Sequence, residues 1–112
     1  MATRELEVTV RHRGETAILD LSGDVESSAE ATLQRAYDEA AAGGGPVVLN
    51  FAAAEYINST GIALIVGLLA RARASKRRLL AYGLSDHYVE IFEITRISDF
   101  MSVFPDEESA LS

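Results

Sequence analysis

The chain has 112 residues, of which 48% are apolar, and its 17 acidic and 10 basic side chains give a net charge of −7. This length predicts one domain, spanning residues 1–112, around one modest core. The negative charge argues against nucleic-acid binding, which depends on neutralising phosphates, and the absence of cysteine excludes disulfides and thiolate metal sites.

The first two elements are predicted to form a β-hairpin. Residues 6–10 alternate between apolar and polar side chains, which is the period of a half-buried strand. Arg13–Glu15 supplies a turn, and residues 17–21 form a second apolar strand that should pair with the first. Gly23 and Asp24 are predicted to end this second strand.

The rest of the chain alternates between helix and strand. Ser27 or Ser28 can cap a first helix, which ends at the turn Gly43–Pro46. The later elements are a buried strand at 47–51, a helix at 59–76, a strand at 79–82, a helix at 86–96, a strand at 101–104 and a helical turn after Pro105. This order predicts an α/β fold, with a mixed sheet of about five strands covered by about four helices.

No segment is predicted to cross a membrane or direct export. Met1–Leu6 lacks the apolar core of a signal peptide. The longest apolar run, Gly61–Ala70, is about half of the roughly 20 residues that a membrane helix needs. We therefore expect a cytoplasmic protein without membrane insertion.

Enzymatic chemistry has little support in the sequence. The two histidines, His12 and His87, belong to no nucleophile motif and do not form a metal-ligand cluster. The glycine run Gly43–Pro46 lacks the Lys-Ser/Thr of a phosphate-binding loop and follows a helix instead of opening one. We predict a protein that is not an enzyme and that has no catalytic residues, no cofactor and no metal site.

Half of the basic residues lie near the end of the second predicted helix: Arg71, Arg73, Lys76, Arg77 and Arg78. Cations at this position stabilise the helix dipole by about 0.3–1 kcal/mol each. The alternative is a site for an anion or an acidic partner. Because Arg77 and Arg78 fall where a strand begins, one continuous basic face is not expected, and the dipole interpretation is favoured.

The junction Tyr56–Gly61 lies between a predicted buried strand and an unusually apolar helix. Asn58 or Ser59 can cap that helix, Thr60 lies in its first turn, and Gly61 allows close packing. A stripe of small residues, interpreted as allowing close backbone approach, runs along the helix: Ala63, Gly67, Ala70 and Ala74. A helix that is apolar nearly all round is either buried or presents a partner-binding face. The free N–H groups of its first turn would be phosphate donors close to Ser59.

The element order and this junction together resemble the STAS domain, in particular that of bacterial anti-sigma-factor antagonists. The resemblance rests on residues 21–26, 47–51, 56–65 and 91–98, followed by Phe104. The family's central motif is Asp-Ser-Ser/Thr-Gly, and its first serine is phosphorylated by a partner anti-sigma factor that is also a kinase. By that match the phosphoacceptor is Ser59, with Thr60 as the alternative. The chain departs from the pattern at Asn58, where the motif has Asp, and at Glu26, a position usually occupied by Asp.

The resemblance implies a STAS fold and a role in partner switching. The unphosphorylated protein would bind an anti-sigma factor/serine kinase and free a sigma factor, and phosphate on Ser59 would block that binding. The implied partner-binding residues are Asp24, Glu26, Asn58, Ser59, Thr60, Gly61 and Ile62. The alternative is a STAS scaffold that is not phosphorylated, acting as an accessory subunit of a transport or signalling complex.

Overall fold

A computed structural model describes residues 4–112 of the chain. Residues 1–3, part of the N-terminal segment in which no signal peptide is predicted, lie outside the described residues. The elements are β1 (Glu7–Arg13), β2 (Thr16–Val25), α1 (Glu30–Ala41), β3 (Val47–Ile57), α2 (Ser59–Ala74), β4 (Leu79–Tyr82), α3 (Asp86–Ile94), β5 (Ser102–Phe104) and α4 (Glu107–Leu111). Short 3₁₀ turns precede α1 and follow α3.

The five strands form one mixed sheet in the order β1-β2-β3-β4-β5. β1 pairs antiparallel with β2, and the remaining neighbours pair in parallel. The predicted α/β fold, with five strands and four helices, is therefore confirmed. Over residues 4–112, no helix combines the length and the apolar character needed to span a membrane.

The two central strands are longer than the sequence predicts. The predicted end of β2 at Gly23 and Asp24 is wrong, since the strand continues to Val25 and pairs with β3 as far as Ile57. β3 itself continues past its predicted end at Phe51. The extension holds because the N-terminal segment covers β2, with Asp24 N donating to Arg4 O at 2.9 Å. Backbone pairing on both sides of β2 thus decides where β2 and β3 end, and no local sequence pattern signals this pairing.

The three central strands are buried on both faces, as predicted for residues 47–51. Neighbouring residues of a strand point to opposite faces, so Leu19 and Leu49 enter the main core while Ile18 and Val48 enter a second cluster. The main core lies against the helices through Leu33, Tyr37, Ile65, Leu68 and Phe92. The second cluster is covered by α4 through Ala110.

A network of ion pairs and hydrogen bonds attaches α4 to the sheet. Glu107 accepts hydrogen bonds from the Arg11 guanidinium and, at 2.7 Å, from the Tyr82 hydroxyl. Arg11 also donates to Asp20 through Nε at 2.6 Å, and Asn50 donates to the same carboxylate at 2.7 Å. Hydrogen bonds from Arg11 and Tyr82 lower the pKa of Glu107 to about 2. The network therefore depends on an ionised Glu107.

Replacing Glu107 should remove part of the acid sensitivity of folding. Because the folded pKa of about 2 lies below the ordinary value of 4.5, ionised Glu107 stabilises the fold above that ordinary value. This contribution is lost as the pH falls from 4.5 towards 2. We expect Glu107→Gln to be less stable than the wild type at neutral pH and the two to converge in acid. Denaturant unfolding across this pH range measures the difference.

The neighbouring residue Glu108 provides the matched control. It lies exposed on the same helix, so Glu108→Gln should keep the pH profile of the wild type. Parallel profiles for Glu107→Gln and the wild type would contradict the role given to the network.

Candidate functional site

The candidate site lies where the carboxyl ends of β2 and β3 meet the start of α2. Val25 and Ile57 are paired at the ends of these parallel strands. The chain turns immediately afterwards, and Asn58 N donates to Val25 O at 3.2 Å. Because the carboxyl ends of neighbouring parallel strands share one edge of a sheet, the residues that follow β2 and β3 are brought together there.

Asn58 is the N-cap of α2. Its backbone is extended, and its side-chain Oδ1 accepts a hydrogen bond from Gly61 N at 2.8 Å. Of the two caps that the sequence left open, Asn58 or Ser59, the structure uses Asn58. An amide oxygen performs here the capping that the family's carboxylate can perform, since both accept a hydrogen bond from the first turn.

Ser59 and Thr60 are the first two helical residues, and both are exposed. Among residues 4–112, neither hydroxyl makes a hydrogen bond to another group of the protein. The cap satisfies the N–H of Gly61, and the first-turn N–H groups of Ser59 and Thr60 donate to no other group among residues 4–112. An anion attached to Ser59 would therefore meet free donors at the positive end of a helix.

Gly61 fixes how closely α2 approaches the sheet. A Cβ at this position would lie 2.8 Å from the carbonyl carbon of Val25 and closer still to its oxygen. Real Cβ atoms do not come so close to backbone atoms, so only glycine allows this packing. Gly61 is buried while Ser59 and Thr60 are exposed. The contact thus holds the two hydroxyls at a defined place on the surface.

The acidic residues of the predicted site lie beside this junction. Asp24 is paired with Tyr56, whose side chain is 52% exposed. The carboxylate of Asp24 accepts from Arg4 N at 3.0 Å, so it also holds the N-terminal segment on the sheet. Glu26 is partly exposed and leads into the 3₁₀ turn before α1.

The structure brings the predicted partner-binding residues to one edge: Asp24, Glu26, Asn58, Ser59, Thr60, Gly61 and Ile62. Their contact with a partner stays a prediction. Sequence reasoning missed Tyr88 of α3, whose hydroxyl accepts from Ile57 N at 2.9 Å and holds the end of β3. The two residues are 31 positions apart, and no local pattern relates them.

The stripe of small residues lies on the outer side of α2, where all four members are exposed: Ala63, Gly67, Ala70 and Ala74. The interpretation of this stripe as a close backbone contact is therefore wrong within this chain, and a Cβ on Gly67 would meet no atom within 4 Å. The buried side of the helix consists instead of Gly61, Ile65, Leu68, Leu69 and Ala72. Together with Val66, which is 43% exposed, Ala63, Gly67 and Ala70 form an exposed apolar strip that leads away from Ser59.

Residues 8–103 match the protein-family model described as "Mlab, STAS domain". The match covers most of the chain, and the chain belongs to this family. The STAS resemblance seen in the sequence is thereby confirmed. The curated relatives that match the chain are anti-sigma-B factor antagonists, and the prediction that the protein is not an enzyme agrees with their regulatory role.

Curated relatives match part of the sequence, and solved structures share the fold. The chain is 38% identical over 48 residues to an anti-sigma-B factor antagonist of Listeria monocytogenes, covering 43% of this chain and 42% of the relative. The match thus spans less than half of that relative. An anti-sigma factor antagonist from Mycobacterium paratuberculosis superposes with a TM-score of 0.79 at 15% identity, covering 96% of this chain and 92% of the other. Bacillus SpoIIAA in its phosphorylated form gives a TM-score of 0.69 at 19% identity, with 92% and 96% covered.

Two glycine substitutions on α2 test the close contact at Gly61. Gly61→Ala should lower the free energy of unfolding by about 1–3 kcal/mol, because the added methyl group forces α2 away from Val25. Gly67→Ala, on the exposed side of the same helix, should raise it by about 0.5–1 kcal/mol because alanine favours helix. Urea denaturation gives both values. Equal effects of the two substitutions would contradict the packing described here.

Proposed function

We propose that this protein is an anti-sigma-factor antagonist that works by partner switching. In its unmodified form it binds an anti-sigma factor that is also a serine kinase, and this binding frees a sigma factor in the cytoplasm. Phosphorylation of Ser59 ends the binding. The observation that carries the proposal is the exposed Ser59 hydroxyl on the first residue of a rigidly held helix, next to an exposed apolar strip.

The position of Ser59 suits both docking and modification. A kinase can reach its hydroxyl because no protein group covers it or accepts its proton within the described residues. The side chain of Asn58 is engaged in the cap, so the turn that presents Ser59 is already ordered before a partner arrives. A preformed surface binds without the cost of ordering a flexible segment.

The charge of a phosphate is large enough to release a partner. A phosphoserine adds about −1.5 to −2 charges at neutral pH. In the free protein the start of α2 stabilises that charge by up to about 2 kcal/mol. Burying the same charge in an interface without a counter-charge costs several kcal/mol. A net cost of about 4 kcal/mol weakens binding about a thousandfold, and no refolding is required.

Ser59 should be the residue that the kinase modifies. The protein is incubated with ATP and the serine kinase that it captures from its native lysate, and phosphate is located by mass spectrometry. We expect labelling at Ser59 that disappears in Ser59→Ala and persists in Thr60→Ala. Labelling that persists in Ser59→Ala would remove Ser59 from this role. Stable capture of a partner without labelling would favour the scaffold alternative.

A fixed negative charge at position 59 should weaken partner binding without unfolding the protein. For Ser59→Glu we expect affinity to fall about tenfold or more, because a carboxylate would be buried without a counter-charge. The melting temperature should hardly change, since an acidic residue suits the first turn of a helix. Ala31→Glu, at an exposed position on α1, is the charge-matched control. Calorimetric affinities equal for both variants would contradict the proposal.

A further inference from the structure

The far end of α2 carries a basic cavity that the proposed function does not use. This cavity has a volume of about 320 Å³, and four of the five clustered cations line it: Arg73, Lys76, Arg77 and Arg78. The fifth, Arg71, lies outside it and pairs with Asp38 and Gln34 of α1. The sequence predicted that these five cations would not form one continuous basic face. That prediction is wrong for the four that line the cavity, and only Arg71 lies apart. The turn after α2 brings the other four residues together around the same cavity.

Helix capping does not account for these cations. The last carbonyls of α2 accept from backbone N–H groups, including Lys76 N to Arg73 O at 3.0 Å and Arg77 N to Ala72 O at 2.8 Å. The guanidinium of Arg77 is also used within the fold, where it donates to the carbonyls of Ala41 and Gly45 at 2.8 and 2.7 Å.

Three cations remain, on Arg73, Lys76 and Arg78. In the part of the chain that the structure describes, none of them forms an ion pair with a carboxylate. A helix end carries only about half of a negative charge, which three full positive charges far exceed. This excess is local, since acidic side chains outnumber basic ones 17 to 10 in the whole chain.

Lys76 adds an independent indication. Its backbone has a φ of 56°, a left-handed conformation that residues other than glycine rarely adopt. Glycine is the usual residue directly after a helix that ends in this way. A lysine there costs stability while placing an ammonium group at the cavity, and strained residues of this kind concentrate at functional sites.

An apolar depression adjoins the basic cavity. It has a volume of about 390 Å³, shares Leu69, Arg73 and Phe100 with the cavity, and continues to Val66 and Ala70 on the exposed strip of α2. The Phe100 side chain is 55% exposed, and the guanidinium carbon of Arg73 lies 4.6 Å from the centre of its ring. Because they share these lining residues, the two depressions form one groove, here called the distal groove, with a basic half and an apolar half.

We propose that the distal groove binds an acidic segment of a protein partner. An apolar side chain of the segment packs against Phe100 and Val66, and its carboxylates face Lys76, Arg78 and Arg73. A protein segment fits better than a small anion, because the groove is open and has an apolar half beside its basic half, whereas small-molecule sites enclose most of their ligand. Charge complementarity with the three cations selects an acidic segment.

This binding is independent of the switch at Ser59. Ser59 and Arg73 are 14 residues apart on one helix, which corresponds to about 21 Å. Charges separated by more than the Debye length of about 8 Å are largely screened at physiological salt. Phosphate on Ser59 therefore leaves the affinity of the distal groove unchanged.

The test begins with selection from a random dodecapeptide library displayed on phage, with the full chain as bait. We expect enrichment of peptides that combine several Asp or Glu residues with an aromatic or aliphatic residue. Amide shifts caused by the strongest peptide should map to residues 66–80 and Phe100. Neutral selected peptides, or shifts centred on the start of α2, would overturn the proposal. Saturating shifts from inorganic phosphate without any acidic peptide would assign the groove to a small anion and overturn it as well.

Charge variants then test the recognition. Lys76→Gly and Arg78→Gln should each weaken the peptide about two- to fivefold, and together about tenfold. Lys76→Gly should keep or raise the melting temperature, because glycine relieves the left-handed backbone. Arg35→Gln, an exposed charge on α1, and Ser59→Glu should leave the affinity unchanged. A loss with Arg35→Gln as large as that with Arg78→Gln would show only non-specific attraction and overturn the proposal.

Discussion

The close approach of Gly61 to the carbonyl of Val25 is the contact on which the rest of the site depends. It brings the first turn of α2 against the end of β2, where only a residue without a Cβ fits. The hydrogen bond that Gly61 N donates to the Asn58 side chain and the one that Asn58 N donates to Val25 O secure the same turn. Backbone contacts on both sides of Ser59 thus hold its hydroxyl in place, and the residue itself remains free for chemistry.

α2 connects this junction to the distal groove. One side of the helix is buried in the main core, and the other carries an apolar strip that leads away from Ser59 and includes part of the apolar half of the distal groove. The two proposals assign different tasks to the ends of the helix. The start is the proposed site where added charge prevents docking, and the end is the proposed basic site, too far away to sense that charge. Because the sheet and core are closely packed, the start of α2 and the distal groove stay a fixed distance apart.

The element order was predictable because apolar periodicity, caps and glycine turns are local signals. The second half of β3 was not, since Ala53, Ala54, Tyr56 and Ile57 pair with β2 for reasons that the sequence nearby does not show. The network around Glu107 joins residues 96 positions apart, and the hydrogen bond from Ile57 N to Tyr88 is equally non-local. At the site, the sequence left the cap of α2 open between Asn58 and Ser59, and only the fold showed that Asn58 is the cap and that the small-residue stripe faces outwards.

Phosphate on Ser59 is proposed to act through its charge, on a helix that does not move. The direct measurement compares the amide NMR spectrum of the protein carrying phosphate on Ser59 with that of the unmodified protein. We expect shifts confined to the first turn of α2 and the adjoining ends of β2 and β3, around residues 24–26 and 57–62. Shifts spread along α2 and into α1 or the centre of the sheet would show that the helix moves, and would rule out a switch that acts through charge alone.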